Sequence, residues 1–344
     1  MISLGKSRWV RTVLLVLSLT IALTIFSPIT YAENVCPPGM VLIPGGSFQI
    51  GSDDPRFEEE RSATDVSVDR FCIDQTEVTN AQFAEFVKAT NYQTIAERPL
   101  SKEQFPDLPE EQRSPGSLVF QMAKPGVKSV PVLSWWHWTV GANWKHPFGL
   151  DSAIASGSAR SAIAGKENYP VVHVAYEDAV AYAKWAGKSL PTEAQWEYAA
   201  RGGLDGAIYA WGDRYSATKA NTWQGIFPFF NTKADGHIGI APVGSFEPNG
   251  YGLYDMTGNV WEWTSDWYHI GHSDKSHQSN PTGPKQAESF DPKKPGESAL
   301  RVIKGGSYLC APNYCSRFRP AARESEAPDT GTTHIGFRLV KNLT

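Results

Sequence analysis

Thirty glycines and 24 prolines interrupt this 344-residue chain every few positions through most of its length. That spacing limits what the chain can fold into. Gly loses the most backbone freedom on ordering, and Pro lacks an amide hydrogen and locks φ, so neither continues a helix or an inner strand well. Many short elements joined by ordered loops are therefore expected, and long helices are not. With 41% hydrophobic and 20% charged residues there is enough apolar surface for a sizeable core. No internal repeat and no linker rich enough to divide the chain is present. The expected class is α+β: a single irregular domain with low regular secondary structure.

Residues 1–32 read as a signal peptide. Lys6, Arg8 and Arg11 make a positive start. Val13 to Phe26 is apolar apart from Ser18, Thr20 and Thr24, and Thr30-Tyr31-Ala32 offers small residues for cleavage before Glu33. The apolar run is short for a bilayer span, which needs about 20 residues. The expectation is export, secreted or periplasmic, with no stable membrane association after cleavage and a domain over 33–344. Cleavage leaves 29 Lys and Arg against 36 Asp and Glu, an acidic balance with no electrostatic footprint for nucleic acid.

Local signals place several elements. Residues 36–51 read as two short strands around Gly45-Gly46, and 66–74 alternate as one strand. Thr79 with Gln82 forms a capping box that opens a helix with Phe83, Phe86 and Val87 on its apolar stripe. An acidic, Pro-rich loop (99–115) leads to an aromatic patch of Trp135, Trp136, Trp138 and Trp144. Residues 177–186 read as a second helix closed by Gly187. Thr192 and Gln195 cap a third, which Gly202 can end. Beyond about 205, helical periodicity disappears.

Four cysteines allow three pairings. In an oxidising compartment disulfides are the default, and Cys36 with Cys72 reads as a structural one. Cys310 and Cys315 differ. They stand in KGGSYLCAPNYCSRFRPAAR, where Arg317, Arg319 and Arg323 favour thiolate. Two sulfurs without His or carboxylate neighbours suit zinc poorly and Cu(I) better. The spacing alone leaves a disulfide, a redox pair and a metal site all open.

The chain closely resembles the formylglycine-generating enzymes, also called sulfatase-modifying factors. The likeness runs from PGGSFQIGSDD and VDRFCIDQTEVTNAQFAEFVKATNY through GANWKHPFGLDSAI and PVVHVAYEDAVAYAKWAGKSLPTEAQWEYAARGG. It continues in NTWQGIFPFFNTKADG, PNGYGLYDMTGNVWEWTSDW and the cysteine segment, and ends at HIGFRLV. PTEAQWEYAARGG and GNVWEWTSDW mark the wider superfamily. The pair within GGSYLCAPNYC is specific to its catalytic members.

The resemblance implies a C-type-lectin-like fold and a copper(I) ion held between Cys310 and Cys315. It implies that dioxygen and a thiol reductant convert a cysteine in a C-x-P-x-R segment of an unfolded or nascent sulfatase to formylglycine. Copper would carry the redox chemistry while the protein holds the peptide. Ser307 and Tyr314 match positions lining the copper and oxygen pocket, Trp261 matches an aromatic wall, and Arg323 and His334 match positions near the substrate groove. Two structural Ca²⁺ ions are implied. The first has ligands Asn221, Thr222, Asp235 and His237, and the second has Asp255, Gly258, Val260 and Glu262. Thr222, His237, Gly258 and Val260 would offer carbonyls, an oxygen-only set that suits calcium.

The chain departs from some eukaryotic members, which add disulfides where it has Ala183, Ala200, Pro320 and Leu339. His334 also replaces a common Asn, which bears on substrate preference. Two other readings compete: an exported superfamily member acting on another substrate, and a nonenzymatic lectin-like binding module. The module would use the Trp patches but leaves the cysteine pair unexplained. Iron-dependent ergothioneine-type relatives need a His-rich helical domain that this sequence lacks.

Overall fold

A computed structural model describes residues 36–343, apart from 104, 111–112, 125–129, 132–133, 151–164, 273–276 and 297–298. The signal-peptide reading of 1–32 and the boundary at 33 lie outside the described residues. Gly45 separates the first two strands, β1 (Met40–Ile43) and β2 (Gly46–Ile50). Its φ is +74°, and a Cβ there would meet the Arg70 amide at 2.7 Å, so only glycine fits. The single strand expected over 66–74 is two, β3 (Thr64–Val68) and β4 (Phe71–Asp74). Exposed Asp69 and Arg70 carry the chain from one sheet to another between them. The Cys36–Cys72 disulfide ties the start of the domain to β4.

The capping signals hold. Thr79 Oγ1 accepts from the Gln82 amide and Gln82 Oε1 accepts from the Thr79 amide, opening α1 (Asn80–Thr90). A hairpin follows, β5 (Gly116–Phe120) with β6 (Trp136–Val140). Next come α2 (Tyr176–Trp185) and α3 (Glu193–Arg201). Thr192 and Gln195 cap α3 reciprocally, and Gly202 ends it in a left-handed conformation. The second half is strand and loop: β7 (Gly225–Ile226), β8 (Phe230–Asn231), β9 (Trp261–Trp267), β10 (Gln278–Ser279), β11 (Arg301–Lys304), β12 (Arg323–Glu326), β13 (Ile335–Gly336) and β14 (Val340–Asn342).

The strands form small sheets. Strand orders are β1-β4-β14, β10-β3-β2 and β12-β11-β9-β13, with two hairpins, β5-β6 and β7-β8. Residues 36–344 make one compact unit, as an α+β class with low regular structure requires. Helices α1 and α2 bury Phe83, Phe86 and Tyr182 in one apolar cluster with Trp263 and Phe337, and Ala183 and Leu339 fill space in that cluster. Trp196 of α3 is fully buried and donates its indole N–H to Glu262 of β9 (2.8 Å).

Charge is buried here as well. Lys304 of β11 reaches Glu197 at 2.9 Å, Arg323 reaches Glu193 at 2.8 Å and Arg338 grips Glu262 at 2.7 Å, all out of solvent. Removing one partner from such a pair leaves an uncompensated charge and costs roughly 3–5 kcal/mol. The network fixes α3 to the four-stranded sheet, and β11 of that sheet runs directly into the cysteine segment. Among the described residues no helix is long and apolar enough to cross a membrane.

Candidate active site

Past β11 the chain turns at Gly306, whose φ is +72° and whose missing Cβ would lie 2.7 Å from the Arg317 carbonyl. The chain therefore leaves and returns to one point, and residues 307–316 form a closed excursion carrying both cysteines. Internal bonds set its shape. The Cys310 amide donates to Ser307 O (2.9 Å), and the Tyr314 and Cys315 amides donate to Ala311 O (3.0 and 2.9 Å). From outside, the Trp223 amide donates to Cys310 O at 2.9 Å. Ser307 is fully buried, and its Oγ accepts from the Leu309 amide at 3.2 Å.

Cys310 and Cys315 are free thiols, the first buried and the second half-buried. Burial pushes Cys310 well above the ordinary thiol range, and the neighbouring Cys315 sulfur adds to the effect. The Cys310 side chain, with the nearby Arg317 charge, pulls Cys315 down. Cys315 is therefore the more acidic of the two thiols. Arg317 is held beside it by Glu59 at 2.6 Å and Glu324 at 3.2 Å.

Both sulfurs face a cavity of about 960 Å³. Ser307, Trp261, Tyr314 and His334 line it too, so the structure brings together six of the residues singled out for this centre. Tyr314 stands half in solvent, stacked on Phe227 with ring centroids 4.3 Å apart and edge-on to Trp135 at 5.5 Å. The His334 ring lies 4.7 Å from that of Trp136, and its Nδ1 is hydrogen-bonded to Thr332 Oγ1. Burial lowers its pKa to about 3, so His334 is a neutral hydrogen-bonding wall and not a charge.

Arg323 is not in this cavity. It is buried behind the sheet, bonded to Glu193 and to the carbonyls of His269 and Gly271, and lines a separate polar pocket. The arginine beside the thiols is Arg317. Sequence reasoning also missed Trp135 and Trp136 as cavity walls, although the aromatic patch had marked them.

The two loops assigned to calcium touch. A Cβ on Gly258 would lie 2.3 Å from the Asn221 carbonyl. In the first loop the Asp235 carboxylate accepts from the Thr222 and His237 amides at 3.1 and 2.9 Å, and the Asn221 side chain donates to Gly239 O at 3.0 Å. In the second, Asp255 accepts from the Gly244 amide at 2.6 Å, and burial raises it to about 6. Both Glu262 oxygens are taken by Arg338, one of them also by Trp196.

The second loop adds a residue that the sequence did not suggest. Glu77 is fully buried. Its Oε1 accepts from Asn259 at 2.9 Å, its Oε2 has no hydrogen-bond partner, and its nearest cation is Arg338 at 4.0 Å. Burial raises its pKa, and the charges of Asp255 and Glu262 raise it further. Of the three buried carboxylates around Arg338, Glu262 is fully engaged by Arg338 and Trp196, which leaves Glu77 and Asp255 with oxygens to offer. No three His, Cys, Asp or Glu side chains converge as a cage among the described residues, so an ion there would also need backbone carbonyls. The cysteine pair offers two adjacent soft sulfurs at a cavity, a donor set that fits Cu(I).

This architecture, with a paired-thiol loop leaving a small sheet, defines a class. Residues 28–343 match the sulfatase-modifying factor enzyme 1-like domain, and the chain belongs to that family. It is 48% identical to the formylglycine-generating enzyme of Mycobacterium tuberculosis over 306 residues, covering 88% of this chain and 97% of that one. It is 45% identical to the Mus musculus formylglycine-generating enzyme over 310 residues, covering 87% and 74%. Among solved structures, PvdO from Pseudomonas aeruginosa is similar with a TM-score of 0.56 and 25% identity, over 90% of this chain and all of that one.

Proposed function

We propose that this protein oxidises a cysteine within a C-x-P-x-R segment of a sulfatase to formylglycine, using dioxygen and a thiol reductant, with Cu(I) held by Cys310 and Cys315. The observation that carries this is the pair itself: two free thiols at an open cavity in a chain whose other two cysteines are joined. A structural pair would be joined as well. Copper, when bound, supplies the electron transfer to dioxygen.

The protein's own residues do the rest. The closed 307–316 loop holds both sulfurs at fixed separation. Buried Ser307 and Trp261 keep the inner wall dry, and Tyr314 with Trp135 and Phe227 forms an aromatic rim that can cover a bound peptide. The substrate Cβ–H and S–H supply two electrons, the reductant two, and dioxygen takes four. Water then replaces sulfur as the thioaldehyde hydrolyses, releasing sulfide.

Calcium at the two touching loops would fix carbonyls in a region poor in ladder hydrogen bonds, with Glu77 beside Asp255 in the second. Residues 1–32 fit an export signal, so the enzyme would act outside the cytoplasm.

Anaerobic titration with Cu(I) against a chelator of known affinity tests the centre. One equivalent should bind, with two sulfur neighbours in the X-ray absorption spectrum. Cys310→Ala or Cys315→Ala should abolish tight binding without unfolding the protein. Peptide conversion that persists after complete copper chelation would overturn the copper assignment.

A further inference from the structure

Among the described residues the hairpin beside the cysteine cavity ends in an edge with no paired strand. Strand β5 is covered on both sides. It pairs with β6 on one, and on the other the Thr333 amide donates to Leu118 O. Among the described residues strand β6 pairs only with β5. The Gln121 amide donates to Trp135 O and the Gly141 amide to Pro115 O, which fixes the phase of the ladder. Alternate residues of an antiparallel pair bond inward and outward. Trp135, His137, Thr139 and Gly141 therefore face β5, while Trp136, Trp138 and Val140 turn their amides and carbonyls away. Among the described residues these outward groups have no hydrogen-bond partner.

Their side chains share one face, because strand side chains alternate. Trp136 lines the cysteine cavity and packs on His334. Trp138 and Val140 continue the same stripe outward, 43% and 58% exposed. Open edges are normally blunted by lysine, proline or a bulge, since they pair with any free strand. Strand β6 reads WHWTV and has none of these.

We propose that β6 is the docking strand for the substrate polypeptide: a segment flanking the target cysteine adds to its free edge as an extra β-strand. This rests on the activity proposed above. The occupant follows from the chemistry. A row of free amides and carbonyls is matched only by another extended backbone, and the stripe is continuous with the cavity that would hold the cysteine. Main-chain bonds would give affinity largely independent of sequence, with apolar residues at alternate positions resting on Trp138 and Val140. Five residues at about 3.4 Å each give about 17 Å of edge. The partner must be unfolded there, because a folded domain has no free strand to offer.

Binding of fluorescently labelled peptides, read by anisotropy, tests this without requiring turnover. The minimal C-T-P-S-R peptide is compared with versions extended by six residues of alternating Val and Thr on either flank. One extended version should bind at least about ten-fold more tightly. Methylating alternate backbone amides of that flank in one register should remove the gain, and in the other register should spare it. Trp138→Ser and Val140→Lys should weaken the extended peptide and leave the minimal one unchanged. In turnover, KM should move and kcat should not.

Equal binding of all three peptides would overturn the proposal, as would equal loss in both methylation registers. A concentration-dependent dimer abolished by Val140→Lys would overturn it too, by assigning the edge to a second copy. Flank binding with no conversion of any peptide would instead count against the activity and leave the docking strand standing.

Discussion

Glu77 and Asp266 show how much of this molecule is set by single buried acids. Glu77 has one bare oxygen and two like charges for neighbours, and burial raises its pKa. Without calcium, Glu77→Gln, which keeps an oxygen to accept from Asn259, should cost little. With calcium the wild type should gain thermal stability by mass action and the variant should gain clearly less. Equal calcium increments in scanning calorimetry would remove Glu77 from the site. Asp266 is buried and accepts from the Glu193 amide and the Ser265 hydroxyl; burial, with the Glu193 charge, raises it from 3.8 to about 7. The folded state thus holds the proton more tightly than the unfolded chain. That stability is present below about pH 4 and is lost as pH rises to about 7, on the order of 1.4 kcal/mol per pKa unit. Asp266→Asn should flatten this part of the pH–stability curve and make the variant relatively more stable at pH 8 than at pH 5. A curve parallel to wild type would refute it. Neither acid was legible in the sequence: each sits in an ordinary-looking motif, and only the fold shows which charges surround it.

Helices and strands differed in how plainly the sequence announced them, for a physical reason. A capping box is a local hydrogen-bond exchange, so Thr79 with Gln82 and Thr192 with Gln195 could be read directly, and both exchanges are present. Strand β9 could not be read by alternation. Its first four residues, Trp-Glu-Trp-Thr, are all buried, so the period-two pattern is absent. The 66–74 segment failed the other way: its alternation runs across a break between two sheets. At this scale Thr192→Ala should cost about 1 kcal/mol through the lost cap. Because α3 carries Trp196 onto Glu262, the change should also loosen the Arg338–Glu262 pair. Hydrogen exchange should show faster opening of β9 and α3 together; faster exchange confined to the first turn of α3 would mean the coupling is absent.

At the scale of the whole molecule, two kinds of cysteine divide the work. The Cys36–Cys72 bridge belongs to the frame, and its spacing and surroundings were enough to suggest it. Removing both partners should cost about 2–5 kcal/mol while leaving peptide conversion intact at low temperature. Cys310 and Cys315 belong to the cavity. Their local spacing left disulfide, redox pair and metal site all open, because proximity in sequence says nothing about whether the thiols face a void. The structure supplies that void and Arg317 beside the sulfurs, and it places Arg323 outside the cavity. The most direct test is mass spectrometry of a C-T-P-S-R peptide incubated in air with the full protein, Cu(I) and a thiol reductant. The account predicts conversion of the peptide thiol to an aldehyde, lost in Cys310→Ala and Cys315→Ala variants that remain folded. An unchanged peptide in the presence of demonstrably copper-loaded protein, or conversion that survives loss of either cysteine, would contradict it.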